Sequence, residues 1–127
     1  MNRQDLLEVV EHVITELRNA NKSVPIIVEG ERDEKSLRKL GFTGKLLRLN
    51  IGLSIINFCE RLTEFNEVII LTDFDRKGVE LRQKLKHALN ANGIKANDDY
   101  WLGLKHLCSR EIKEIEHLHT FVWNLKK

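Results

Sequence analysis

The segment EVIILTDFDRKG, residues 67–78, decides how this chain folds. Val68 to Leu71 is its most continuous apolar run, and a run without alternation suits a strand covered on both faces, as in a parallel sheet. It stops abruptly at Thr72-Asp73-Phe74-Asp75, and a helical pattern then turns Leu81, Leu85, Ala88 and Leu89 inward as far as Gly93. Upstream, VPIIVEGERDEKSLRKLG, residues 24–41, has the same grammar. A short β-branched run, Val24 to Val28, ends in Glu29-Gly30. An amphipathic stretch follows, with Asp33 as its expected cap, Leu37 and Leu40 inward and Gly41 as its stop.

The flanks extend this alternation. Leu6, Val10, Val13, Ile14 and Leu17 share one face of an opening helix capped by Asn2, with Asp5 in its first turn. Leu46 to Leu49 reads as a weaker strand, and Ser54 opens a helix carrying Ile55, Ile56, Cys59 and Leu62. Tyr100-Trp101-Leu102 is the expected fourth strand, and Ser109 the expected cap of a last helical region containing Ile112, Ile115 and Leu118. Four alternations of strand and helix predict an α/β fold: an open, mainly parallel four-stranded sheet with helices on both faces.

Composition narrows the function classes. The 127 residues fit one compact domain, and 42% hydrophobic with 31% charged residues excludes a disordered chain. With 21 Lys+Arg against 19 Asp+Glu the formal net charge is +2, so any polyanion binding must come from local clusters. The longest aliphatic run is far short of the roughly 20 residues that span a bilayer. The start, MNRQDLLEVVEHV, does not read as a signal peptide. Cys59 and Cys108 lie far apart and outside any CxxC pair, which predicts a reduced, cytoplasmic protein.

In open parallel sheets the ligand site lies beyond the carboxyl ends of the strands. Glu29, Asp73 and Asp75 would therefore meet at one edge. Each alone is explained as a helix cap. Together they repel, and a hard divalent cation, Mg²⁺ or Mn²⁺, is their natural compensation. Gly30 and Gly78 would allow close backbone approach of a phosphate or ion. Arg32, Lys35, Arg76, Lys77 and Arg82 flank these acids and are candidate nucleic-acid contacts, although cations on a helix also form ordinary solvated faces. Trp101, Trp123 and Phe74 read as packing residues, and His106, His117 and His119 share no ligand spacing.

The pair hhhEG and hhhTDxDxxG, where h is an apolar residue, resembles the Toprim domain of topoisomerases, bacterial-type primases, OLD-type nucleases and ribosomal-RNA-maturing ribonucleases. IKEIEHL, residues 112–118, resembles the helix closing small stand-alone Toprim proteins. The resemblance implies a Rossmann-like Toprim domain over residues 24–127, preceded by an N-terminal helix over 1–23. It implies Glu29 as general acid/base and Asp73 and Asp75 as metal ligands, with Mg²⁺ as cofactor. Val79 stands where topoisomerases place a further acid, and Tyr100 is the only tyrosine, so topoisomerase activity is not expected. The expected function is a Mg-dependent, ribonuclease-like nuclease favouring RNA over DNA. The alternative is a non-catalytic nucleic-acid-binding module working with a partner, and a phosphatase of the haloacid dehalogenase type ranks third. The N-terminal helix would pack on the sheet or pair with a second copy or another protein.

Overall fold

The structure, a computed structural model, describes residues 1–49 and 52–127. Its elements run α1 (Arg3–Asn21), β1 (Ile26–Val28), α2 (Glu31–Lys39), β2 (Leu46–Arg48), α3 (Ile55–Glu60), β3 (Glu67–Ile70), α4 (Arg76–Ala91), β4 (Lys95–Asn97), α5 (Asp99–Cys108), a 3-10 turn (Ile115–His117) and α6 (Leu118–Lys126). The four strands are parallel, in the order β2-β1-β3-β4.

The unbroken apolar runs of β1 and β3 follow from their central position. Ile26, Val28, Ile69 and Leu71 join a core with α1, α2, α5 and α6. Ile27, Val68 and Ile70 face the opposite way and pack with Phe58, Cys59, Leu85 and Leu89 of α3 and α4. Successive strand residues thus feed two cores on opposite faces of one sheet. Val10, Ile14 and Leu17 of α1 are buried in the first of these, so the N-terminal helix packs within the fold. No helix among the described residues is long and apolar enough to cross a membrane.

Local capping signals are realised at two helix starts. Asn2 accepts the Asp5 amide at 2.8 Å and Ser54 accepts the Asn57 amide at 3.1 Å. Gly41 ends α2 with φ of 89°, a conformation that only glycine adopts without strain. Three local expectations need correction. Tyr100-Trp101-Leu102 is helical, within α5, where Trp101, Leu104 and Cys108 recur at helical spacing and are buried. The fourth strand is instead the polar Lys95-Ala96-Asn97 at the sheet edge, paired only with β3. Ser109 closes α5 rather than opening a helix. Asp33 is the third residue of α2, not its cap, and reaches back to the Gly30 amide.

Candidate functional site

The connection from β1 to β2 moves outward on one side and that from β3 to β4 on the other, so the chain reverses direction between β1 and β3. That reversal opens a crevice beyond the strand ends. Glu29 leaves β1 and Asp73 leaves β3 into this crevice. The Glu29 carboxylate accepts the Asp73 amide at 2.8 Å, linking the two strand exits directly.

Asp73 is built into the protein. It is 9% exposed, and its Oδ1 accepts the Ile115 amide at 2.8 Å. The neighbouring Phe74 amide donates to the Lys113 carbonyl at 2.7 Å, so the segment before α6 pairs with this loop. Phe74 is buried against Trp101, with ring centres 6.0 Å apart. The Trp101 indole N–H donates to the Thr72 carbonyl at 2.8 Å, and the Thr72 hydroxyl donates to the Gly78 carbonyl at 2.7 Å. The aspartate loop is therefore braced from α4, α5 and the 3-10 turn.

Asp75 caps α4, accepting the Gly78 amide at 2.7 Å. Gly78 sits so close to the loop that a Cβ there would lie 2.0 Å from the Asp73 carbonyl oxygen. The close approach seen here is that of Asp73's own backbone. Gly30 caps α2 and donates its amide to Asp33 at 3.0 Å. Asp33 is itself buried and adds a fourth acid to the edge.

Burial pushes the Asp73 carboxyl up to about 8. The Ile115 amide opposes that rise, and the charges of Asp33, Glu29 and Asp75 reinforce it. Burial also raises Asp33, against the Gly30 hydrogen bond and with Glu29 and Glu116 adding to the rise. The nearest cation to Glu29 is the exposed Lys77, with Nζ 4.0 Å from Oε1. An all-oxygen, negatively charged edge with so little internal compensation fits a hard divalent cation. Glu29, Asp73, Asp75 and Asp33 are the residues that would hold it.

The acids share the edge without converging on one sphere, because Glu29 is turned onto the Asp73 amide and Asp75 onto the Gly78 amide. Among the described residues, the group whose ligand atoms all lie within 4.8 Å of one another is Glu114, Glu116 and His117. It flanks Ile115, which holds Asp73. His117 thus has a spatial partnership with glutamates that histidine spacing alone does not predict.

The basic residues divide. Arg32 is 83% exposed and lies 3.9 Å from Glu116, Lys35 pairs with Glu31 at 3.4 Å, and Arg76 pairs with Glu80 at 3.6 Å. These, with Lys77, remain presented to solvent around the acids. Arg82 does not. Its side chain is 18% exposed, paired with Asp98 and stacked over the Trp101 ring at 4.6 Å. It clamps Asp98 and Trp101 within the fold. Sequence reading missed Asp33, Thr72, Trp101 and Ile115 as site-building residues. Asp33's position three residues after Glu29-Gly30 was the one local signal available. The others act through contacts from 6 to 42 residues away.

The family model for the Toprim domain matches residues 24–100. A UPF0292 protein of Thermoplasma volcanium is 41% identical over 100 residues, covering 77% of this chain and 84% of that protein. A UPF0292 protein of Methanosarcina barkeri is 38% identical over 122 residues, covering 94% and 85%. The solved structure of a protein from Aquifex aeolicus superposes with a TM-score of 0.72 at 29% identity, covering 84% of this chain and 95% of that one.

Proposed function

This chain belongs to the Toprim domain family and to the UPF0292 proteins, and from that premise we propose that it is a Mg²⁺- or Mn²⁺-dependent nuclease acting on RNA in preference to DNA. Toprim membership supports a nucleic-acid-related role. The observation that carries the catalytic reading is the Glu29 carboxylate seated on the Asp73 amide, which brings an acid/base candidate beside the buried aspartate.

Glu29 is the proton-transfer group. It sits at the crevice with one oxygen on the Asp73 amide and the other facing Lys77. Glu29, Asp73 and Asp75, with Asp33 behind them, would hold the ion. When bound, it offsets charge on a phosphodiester oxygen and activates the attacking oxygen. Arg32, Lys35, Arg76 and Lys77 orient the phosphates, since cations beside a metal site fix backbone position without reading sequence. The buried thiols of Cys59 and Cys108, pushed up to about 11 and about 12 by burial, are inert and fit a reducing cytoplasm.

The test is a cleavage assay at low salt with Mg²⁺ or Mn²⁺ on structured RNA and on single- and double-stranded DNA. Cleavage that is lost in both Glu29→Gln and Asp75→Asn supports the nuclease, and the preferred polymer identifies its substrate. Cleavage unchanged in both variants contradicts it. The second reading is a metal-dependent binding module whose partner performs the chemistry. It is favoured by the spread of the acids, whose oxygens do not gather within 4.8 Å. Binding without turnover by the folded, metal-loaded protein is its signature.

A further inference from the structure

The groove between α2 and α6 begins beside the acids and leads away from them. Its near part, about 190 Å³, is lined by Arg32, Lys35 and Lys39 of α2 together with Glu116 and His119. Its far part, about 300 Å³, shares Lys39 and His119 and continues to Trp123 and to Lys126, which pairs with Glu11 at 3.7 Å. Glu116 directly follows Ile115, whose amide holds Asp73, so the groove opens from the acidic edge itself.

Its chemistry is directional. Arg32, Lys35 and Lys39 stand three and four residues apart, which places them in one stripe along α2. By helical rise the stripe covers roughly 10 Å. Lys39 forms no ion pair among the described residues, while Arg32 and Lys35 hold theirs at 3.9 and 3.4 Å with both cations mainly exposed. At the far end Trp123 is 59% exposed, one of few large apolar side chains left uncovered. A row of cations ending in an open aromatic face matches a single nucleic-acid strand, whose phosphates follow the charges and whose bases stack on the ring. An acidic peptide would satisfy the cations, but its carboxylates do not stack on the ring as every base does.

We propose that the α2–α6 groove carries a single strand of nucleic acid away from the acidic edge, with Arg32, Lys35 and Lys39 tracking its backbone and Trp123 stacking a base. This deepens the nuclease reading and rests on it for the identity of the polymer. The test is made in EDTA, where the metal site contributes nothing. A short unstructured RNA oligonucleotide is titrated into the full chain while tryptophan fluorescence is followed, since Trp101 is buried and only Trp123 is open to a stacking base.

The expected result is quenching that disappears in Trp123→Phe. Charge reversal in Lys35→Glu/Lys39→Glu should weaken binding at least about tenfold and flatten its logarithmic salt dependence by about 1.4. Trp123→Ala should weaken it about 5- to 100-fold. RNA that binds in EDTA without quenching Trp123, unaffected by the charge reversal, overturns the groove and leaves the nuclease reading intact. Equal quenching by duplex RNA or by poly-glutamate overturns the single-strand assignment. Quenching as described, with no cleavage of structured RNA or of DNA once Mn²⁺ is added, upholds the groove and removes the nuclease.

Discussion

Two buried aspartates show opposite solutions to the same electrostatic problem. Asp98, 4% exposed at the start of α5, is met by Arg82 and by Lys86 at 3.4 Å. Asp73, 9% exposed at the exit of β3, is met by a backbone amide and by three further acids. Burying a carboxylate without a counter-charge is strongly unfavourable. The fold supplies that charge at the α4–α5 corner and withholds it at the crevice. The first arrangement is structural and complete, and the second leaves a place for a cation from outside.

The largest expected effect tests the completed site. Arg82→Ala leaves Asp98 with only the more exposed Lys86, so stability should fall by about 3 kcal/mol, read as a drop of roughly 10 °C in melting temperature. An unchanged melting temperature would remove the contrast.

Asp73→Asn should do the reverse in metal-free protein. The folded carboxyl titrates near 8 while the unfolded one titrates near 4, so the folded state holds a proton that the unfolded chain releases in between. Stability from this group is fully present below about pH 4 and is lost as pH rises toward 8. The asparagine keeps the acceptor for Ile115 and escapes that loss. Above pH 8 it should be the more stable protein, with the difference vanishing by about pH 4. Denaturant melts of both proteins across that range, in EDTA, measure it.

Gly78→Ala sets helix propensity against collision. Alanine gains about 1 kcal/mol in a helix, but its Cβ would meet the Asp73 carbonyl oxygen at 2.0 Å. Overpacking of about 1–3 kcal/mol should win, giving net destabilisation together with reduced cleavage as the aspartate loop shifts. A stabilised, fully active variant would show that the brace is dispensable. The smallest stability change belongs to Asp75→Asn. Asparagine caps helices as well as aspartate does, so melting should move by less than about 0.5 kcal/mol while divalent-ion binding falls. That separates the residue's capping role from its proposed ligand role.

What the sequence made legible was whatever is local or forced by burial. The unbroken runs at Ile26–Val28 and Val68–Leu71 announced central strands because both faces are covered, and Asn2 and Ser54 announced helix starts because a cap binds its own next turn. The edge strand Lys95–Asn97 was illegible because one of its sides has no partner strand and its residues stay polar. Tyr100-Trp101-Leu102 misled for the complementary reason. It is an apolar triplet in which only Trp101 is buried, with Leu102 turned to solvent. The crevice acids could be located from strand exits, but the contacts that hold them could not. Glu29 to Asp73 spans 44 residues and Asp73 to Ile115 spans 42, and no periodicity encodes such pairs.

The most direct test of the central claim is equilibrium titration with Mn²⁺ near pH 8, following free ion by electron paramagnetic resonance, on wild type, Glu29→Gln, Asp75→Asn and His117→Ala. Binding should be displaced by Mg²⁺, weaken at least about tenfold in the two crevice variants, and persist in His117→Ala. Binding untouched by Glu29→Gln and Asp75→Asn but abolished in His117→Ala would move the ion to the Glu114–Glu116–His117 group and contradict it.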